Sequence, residues 1–184
     1  MIKRLVCAIL FLFVCFSASP IYASEIAVAP EKNFIVKEEY IPSSGDYMLA
    51  DVEQGIGYMV NDEKKHFTAF PLLSGQKRYV CYIGRCYYAE TPERSWVIKQ
   101  KDVKGDRVTF GKTGEFLRLF HNDRRTAYGI HNYKYFQKNL EKGNRYVSMG
   151  CLLVSEEILD LIEKSFIANG NELRVTTQKQ IESL

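Results

Sequence analysis

Short runs of alternating apolar and polar residues follow one another along most of the chain. A two-residue period is typical of strands with one buried face. The segments between the runs, such as SSGD, NDEKK and GKTG, contain glycine, asparagine and charged residues that favour turns. The pattern predicts strands in DYMLADV, GIGYMVND, HFTAFPLL, KRYVCYI, SWVIKQKDV, RVTFG, FLRLFH, YGIHN and ELRVTT.

One segment, SEEILDLIEKSFIANG, has a helical period instead. Ser155 is a typical N-cap, two glutamates follow it in the first turn, and Gly170 stands where the helix would stop. These signals predict a helix over residues 155–168. A weaker helical pattern, KYFQKNLEKG, ends at Gly143. The expected fold is therefore mainly β with one long helix, arranged as a β-sandwich.

The N-terminus combines the charged start MIKR, the apolar run LVCAILFLFVCF and the small and turn-forming residues SASPIYA. This order predicts a signal peptide over residues 1–23, cut between Ala23 and Ser24. The alternative is a retained membrane anchor, although the apolar run is shorter than the ~20 residues that span a bilayer. Residues 24–45 are expected to be a lead-in, and 46–184 a single domain. The mature protein is then exported to the periplasm or cell envelope, with no stable membrane span.

Composition narrows the possible partners. The chain has 184 residues, of which 46% are hydrophobic and 26% are charged, as in ordinary globular proteins. Its net charge is +3 and falls to about +1 without Lys3 and Arg4 of the predicted signal peptide. A nucleic-acid partner is therefore not expected, because phosphate binding usually needs a concentrated basic face.

The mature chain has three cysteines, and export would place them in an oxidising compartment. Cys81 and Cys86 flank a glycine-containing turn within a β-prone stretch, which predicts a disulfide across a hairpin. The alternative is a metal-binding pair, but no second pair of histidines or cysteines completes four ligands. We therefore expect neither a metal nor another cofactor.

The remaining cysteine, Cys151, lies in a Ser-Met-Gly-Cys turn shortly before the predicted long helix. Backbone N–H groups there could favour a thiolate, which predicts a pKa below the ordinary value of about 8.5. His131 ends the predicted strand TAYGI, where an imidazole could act as a base for a thiol on another element. The same two residues are equally consistent with an inert buried thiol and a hydrogen-bonded histidine in the core. The residues alone leave both interpretations open.

The resemblance to a known family favours the catalytic interpretation. The residues are similar to the signature of the L,D-transpeptidase catalytic domain, a histidine followed after a comparable gap by Ser/Thr-His-Gly-Cys. FPLLSGQ and the Thr91-Pro92 step resemble further segments of that domain, and the likeness covers residues 46–177. The matching signature residues are His131 in GIHN and Ser148, Gly150 and Cys151 in SMGC.

The chain departs from the family signature at several positions. Met149 replaces the motif histidine, and Asn132 replaces the glycine that usually follows the upstream histidine. Leu152 and Leu153 stand where the family commonly has an arginine or asparagine. The chain thus resembles a divergent branch, part of which hydrolyses stem peptides rather than cross-linking them.

The resemblance implies acyl transfer through a thioester on Cys151, with His131 moving the proton and the backbone carbonyl of Asn132 orienting its ring. It implies N–H donors for the developing oxyanion at Met149, Gly150 and Cys151, and a glycine that avoids crowding at 150. Ser148 is expected either to donate to the cysteine region or to be a plain turn serine. Arg125 and Tyr128, on the same predicted strand as His131, are candidates for substrate contact. A solvated loop is the alternative for Arg125.

The implied substrates are peptidoglycan stem peptides, cleaved between diaminopimelate and the terminal D-Ala. One alternative is a hydrolase of the same fold, either an L,D-carboxypeptidase or an amidase that releases a murein-linked lipoprotein from diaminopimelate. Another is a murein-binding module that has lost its activity.

Overall fold

The computed structural model describes residues 40–82 and 84–181. The predicted signal peptide over 1–23 lies outside these ranges. The elements in chain order are β1 (Tyr47–Asp51), β2 (Ile56–Asn61), β3 (His66–Pro71), β4 (Ser74–Gly75), β5 (Tyr79–Tyr82), β6 (Arg85–Tyr88), β7 (Arg94–Val103), β8 (Glu115–His121), β9 (Arg124–His131), α1 (Phe136–Glu141), β10 (Tyr146–Ser148), β11 (Leu152–Leu153), α2 (Glu156–Ala168) and β12 (Leu173–Gln178).

Eight strands form one curled sheet in the order β11-β9-β8-β7-β12-β1-β2-β3. The pairs β11–β9 and β12–β1 are parallel, and the other neighbours are antiparallel. The described residues also contain two small two-stranded sheets, β10-β4 and β5-β6. The mainly β prediction is confirmed, but one curled sheet takes the place of the two facing sheets of the expected sandwich.

The long helix α2 covers one face of this sheet. Ser155 is its N-cap, and its Oγ accepts a hydrogen bond from the Ile158 N–H. Leu159, Ile162 and Phe166 of α2 join the main apolar core with buried residues of the sheet. The described residues contain two helices rather than one, because the weaker pattern before Gly143 forms the six-residue α1. None of the described helices is long and apolar enough to cross a membrane.

The predicted strand RVTFG is wrong, because residues 107–111 form turns. The Asp106 carboxylate accepts hydrogen bonds from the backbone N–H groups of Val108 and Thr109 at 3.0 and 3.1 Å. The Phe110 N–H bonds to the Asp106 carbonyl at 3.0 Å. These local bonds take the place of strand pairing. They place Phe110 in a loop, where its ring reaches His131.

A buried carboxylate joins the start of the described chain to α2. Asp46 is 3% exposed and accepts hydrogen bonds from the Ser43 N–H, the Asn61 side chain and the Ser165 hydroxyl at 2.7–2.8 Å. Burial alone would raise the pKa of Asp46, but these hydrogen bonds outweigh burial and lower it. The boundary at residue 46 between lead-in and domain stays a prediction.

We expect Asp46→Ala to lower the free energy of unfolding by about 2–3 kcal/mol, because it leaves three buried donors without their acceptor. The folded pKa of Asp46 lies below the unfolded value, so its contribution is present above about pH 4 and is lost as the pH falls through the folded pKa. Urea denaturation at several pH values measures both effects. Asp160→Ala, which removes an exposed i,i+4 pair with Lys164, is the control. Equal losses in the two variants would contradict this assignment.

Candidate active site

The parallel pairing of β9 with β11 brings His131 and Cys151 to one face of the sheet. Leu152 pairs with Ile130 and Leu153 with His131, so Cys151, one residue before β11, lies level with Gly129. Ile130 and Leu152 point into the main core. Their neighbours His131 and Cys151 therefore point to the opposite face. Diagonal positions of this kind lie roughly 7–8 Å apart in a regular ladder.

The imidazole of His131 is held in an aromatic surround. His131 is 4% exposed, and its ring centroid lies 4.9 Å from that of Phe110 and 5.5 Å from that of Phe116. Its Nδ1 lies 2.7 Å from the Asn132 carbonyl oxygen, as the resemblance implies. Burial lowers the pKa of His131 to about 4, although hydrogen bonds to the backbones of Asn132 and Thr109 oppose this effect. The ring is therefore neutral at pH 7, as a general base must be.

Cys151 is the free cysteine of the described residues and is half-buried. Burial raises the pKa of its thiol to about 11, while a hydrogen bond with the Gly129 backbone and the charge of Arg118 lower it. The predicted pKa below 8.5 is therefore wrong for the ligand-free protein. The physical reason is that β11 and Ser155 separate Cys151 from the first turn of α2, where the helix dipole acts.

We expect alkylation of Cys151 by iodoacetamide to be slow at pH 7 and to rise toward a midpoint near pH 11. The thiolate is the reactive form, and desolvation disfavours it. Rates measured between pH 7 and pH 11 by intact mass test this. Cys151→Ser shows whether the label enters elsewhere, and a midpoint at or below 8.5 would contradict the raised pKa.

Three hydroxyl groups hold three successive carbonyls of the turn before β11. Tyr87 donates to the Met149 carbonyl at 3.3 Å, Thr91 to that of Gly150 at 2.9 Å, and Ser148 to that of Cys151 at 2.6 Å. The donors come from β6, the segment after it, and β10. These carbonyls are thus fixed by two donors from other segments and by the first residue of the turn itself. The predicted support by Ser148 is present as a direct bond to the backbone of Cys151.

The backbone conformation and the close packing at position 150 both require glycine. Its φ is +116°, and a Cβ there would lie 2.5 Å from the Tyr128 ring. The crowding expected at this position is therefore present. The Gly150 N–H, which the resemblance implies as an oxyanion donor, bonds to the Ser148 hydroxyl at 3.0 Å. The N–H groups of Met149 and Cys151 remain the candidates.

Two positions that depart from the family signature have distinct surroundings. Asn132 is buried, and its Nδ2 donates to the Val154 carbonyl at 2.9 Å, which ties the end of β9 to the chain before α2. Met149 is 45% exposed beside Cys151. The Asn132 side chain thus adds a contact that a glycine cannot make.

The two candidates for substrate contact lie in different surroundings. Tyr128 is half-buried, and its ring packs 5.4 Å from that of Trp96 and against Gly150, so it supports the turn. Arg125 is exposed, with a guanidinium nitrogen 3.8 Å from an Asp102 oxygen. Sequence reasoning missed Phe110 and Arg118. The local signals around Phe110 indicated a strand, and nothing local marks Arg118.

The disulfide prediction is confirmed. Cys81 and Cys86 are paired across β5 and β6 and bonded, with their Cα atoms 4.0 Å apart. This hairpin carries Tyr87 to the Met149 carbonyl. Within residues 40–82 and 84–181, no cluster of three or more histidine, cysteine, aspartate or glutamate side chains could hold a metal ion.

No protein-family model matches the chain, and no curated protein matches its sequence significantly. Among solved structures it is similar to the L,D-transpeptidase from Xylanimonas cellulosilytica, with a TM-score of 0.53 and 20% identity over 76% of this chain and 65% of that one. It is also similar to Bd1075 from Bdellovibrio bacteriovorus, with a TM-score of 0.51 and 13% identity over 75% of this chain and 48% of that one. The chain thus spans just under two thirds of the first structure and about half of the second.

At 13–20% identity, these similarities define the fold of the chain. The described domain has the fold of an L,D-transpeptidase.

Proposed function

We propose that this protein is an exported cysteine acyltransferase that acts on peptidoglycan stem peptides. The observation that supports the proposal best is the β9–β11 ladder, which gives Cys151 and His131 one common face beside a turn held by three hydroxyls. The fold and the resemblance of SMGC and GIHN to the family signature agree with it. The signal peptide and the periplasmic or cell-envelope location belong to the same proposal.

In the first step, the Cys151 sulfur attacks the carbonyl carbon between diaminopimelate and the terminal D-Ala, and the thiol proton passes to His131. With a thiol pKa of about 11 and an imidazole pKa of about 4, the resting pair is neutral. The proton therefore moves as the S–C bond forms, rather than beforehand. The oxyanion is stabilised by the N–H groups of Met149 and Cys151.

In the second step, the C–N bond breaks, and His131 returns the proton to the departing D-Ala amine. A thioester on Cys151 remains. The amine of a second stem peptide then attacks the thioester carbonyl, the C–S bond breaks as the cross-link forms, and His131 passes the amine proton to the Cys151 sulfur. Water in place of the amine gives hydrolysis and a shortened stem.

Muropeptides with tetrapeptide stems, incubated with residues 24–184 and analysed by mass spectrometry, test the proposal. We expect a cross-linked dimer and free D-Ala from the native protein, and no product from Cys151→Ser. A shortened stem without a dimer would place the protein among the hydrolases, as would cleavage between lipoprotein and diaminopimelate when a murein-linked lipoprotein is the substrate. Binding without any product from the folded protein would contradict the acyltransferase.

Covalent trapping gives a second measurement of the same chemistry. A carbapenem, which resembles the acyl donor and traps this family as a thioester, should add its mass to Cys151. The adduct should be absent from Cys151→Ser and slow to form in His131→Gln. An adduct that forms equally fast in His131→Gln would contradict the role of His131.

A further inference from the structure

A buried arginine lies on the same face of the sheet as Cys151, one strand beyond Gly129. Arg118 of β8 pairs with Gly129 of β9, and Cys151 lies level with Gly129 on the other side. Partners in a ladder point to the same face, so Arg118, Gly129 and Cys151 form one row across three strands. The guanidinium is buried, with its side chain 7% exposed.

Gly129 lies between Arg118 and Cys151 in this row and places no side chain between theirs. A Cβ at Gly129 would lie 2.2 Å from the Phe116 ring, so the edge of that ring fills the space. The Arg118 guanidinium lies 4.7 Å from the centroid of the same ring. An apolar ring rather than water therefore lies over Gly129, and a charge on Arg118 is weakly screened toward Cys151.

The position of the guanidinium is fixed by two partners. Its Nε donates to Asp102 at 3.0 Å, with a second donation from Nη2, and its Nη1 donates to the Thr126 carbonyl at 2.8 Å. Asp102 also binds Lys104 at 3.0 Å and lies 3.8 Å from Arg125. Three cations thus share one carboxylate, so the charge of Arg118 is incompletely neutralised.

The other titratable groups around the sulfur are neutral at pH 7. Burial raises the pKa of Tyr87 on β6 and of Tyr128 on β9, and burial lowers the pKa of His131 to about 4. The residue that follows Cys151 is the buried Leu152. Among these described neighbours, Arg118 supplies the positive charge.

We propose that Arg118 is a positioning residue for the chemistry of Cys151: held by Asp102 and Thr126, its guanidinium supplies the positive charge that the sulfur faces when it becomes an anion. The inference deepens the proposed function, on which it rests for its biological meaning. In the family signature, an arginine or asparagine commonly follows the cysteine. Here a cation reaches the site from β8 instead.

The rate at which iodoacetamide alkylates Cys151 tests this role without requiring acyl transfer, because the sulfur displaces iodide only after the thiol has lost its proton. At pH 8, we expect Arg118→Gln to lower the rate roughly 10-fold, since a unit charge acts across two strand spacings, about 10 Å, of low-polarity protein. We expect Asp102→Asn to raise the rate several-fold, because Arg118 loses its counter-charge. Arg118→Lys should stay within about 3-fold of the native rate.

Arg174→Gln is the matched control, because it removes the same charge from the same sheet at a position packed 5.5 Å from the Tyr47 ring. We expect its alkylation rate to be unchanged. Damage to packing would shift Arg118→Gln and Asp102→Asn in the same direction, whereas the charge mechanism shifts them in opposite directions. Equal rates in Arg118→Gln and Arg174→Gln would overturn the proposal.

Folding is checked by urea denaturation before the rates are compared. If Arg118→Gln does not fold, Asp102→Asn and Arg118→Lys decide, and an Asp102→Asn rate at or below the native rate overturns the proposal. Opposite shifts in a protein that forms no acyl product would contradict the proposed function and leave the role of Arg118 intact. If the protein carries out acyl transfer but its alkylation rate does not depend on Arg118, the proposed function stands and the role of Arg118 is contradicted.

Discussion

Replacing His131 by glutamine is expected to lower the rate of acyl transfer from muropeptides roughly 10²–10⁴-fold, the usual effect of removing a positioned base. The resting thiol has a pKa of about 11, so without the imidazole the attack has no proton acceptor at neutral pH. Native activity should fall as the pH drops through about 4, where His131 becomes protonated, and this acid limb should be absent from the residual activity of the variant.

His121→Gln is the matched control, since it makes the same change at a ring whose Nδ1 lies 3.0 Å from the Ser95 carbonyl oxygen. A stability measurement keeps the test independent of substrate. Because the folded pKa of His131 is depressed from 6.5 to about 4, the native protein should lose about 3 kcal/mol between those pH values as the unfolded chain takes up the proton. His131→Gln should lose less over this range. A native acyl-transfer rate in the folded variant would leave His131 without a catalytic role.

Gly75→Ala is expected to lower the free energy of unfolding by about 3 kcal/mol and to abolish acyl transfer. A Cβ at position 75 would lie 2.0 Å from the Ala89 carbonyl oxygen, 2.7 Å from the Thr91 nitrogen and 2.8 Å from the Gly150 Cα. All three are backbone atoms, so none can rotate away. Relief requires the turn before Cys151 to move, which also breaks the 2.8 Å bond from the Gly75 N–H to the Thr91 hydroxyl.

Urea denaturation and the muropeptide assay measure the two effects of Gly75→Ala. Gly105→Ala is the control, because no atom lies within 4 Å of a Cβ built there. We expect Gly105→Ala to keep both native stability and activity. A Gly75→Ala protein as stable as Gly105→Ala would show that the backbones around Gly75 are not held as closely as we describe.

Local patterns predicted the strands well where burial alternates along one element. The predicted strand ELRVTT is β12, in which buried and more exposed residues alternate, and SEEILDLIEKSFIANG forms α2 with Ser155 as its cap. RVTFG failed because the alternation of Val108 and Phe110 is the same in a strand and in a turn closed by Asp106. Local patterns predicted a sandwich and not one curled sheet, because they do not show which strands pair. That pairing depends on residues far apart in the chain.

The candidate site shows the same division between local and long-range information. Cys151, His131 and Gly150 could be identified from the sequence, because turn chemistry and the family signature are both local. The pKa of Cys151 could not, because the groups that desolvate and bias the thiol come from other elements, including β8 and β9. Arg118 escaped notice for the same reason, since only the register of β8 against β9 places it in the row with Cys151.

The position of β12 in the sheet bears on how the chain is made. This strand, Leu173–Gln178, lies between β7 and β1, which places the last strand in chain order near the middle of the sheet. Until those residues emerge from the ribosome, β1 and β7 have no common neighbour, and one edge of each strand stays unpaired. The strands on the two sides of β12, namely β1, β2 and β3 on one side and β7, β8, β9 and β11 on the other, therefore become one sheet only after β12 has been made.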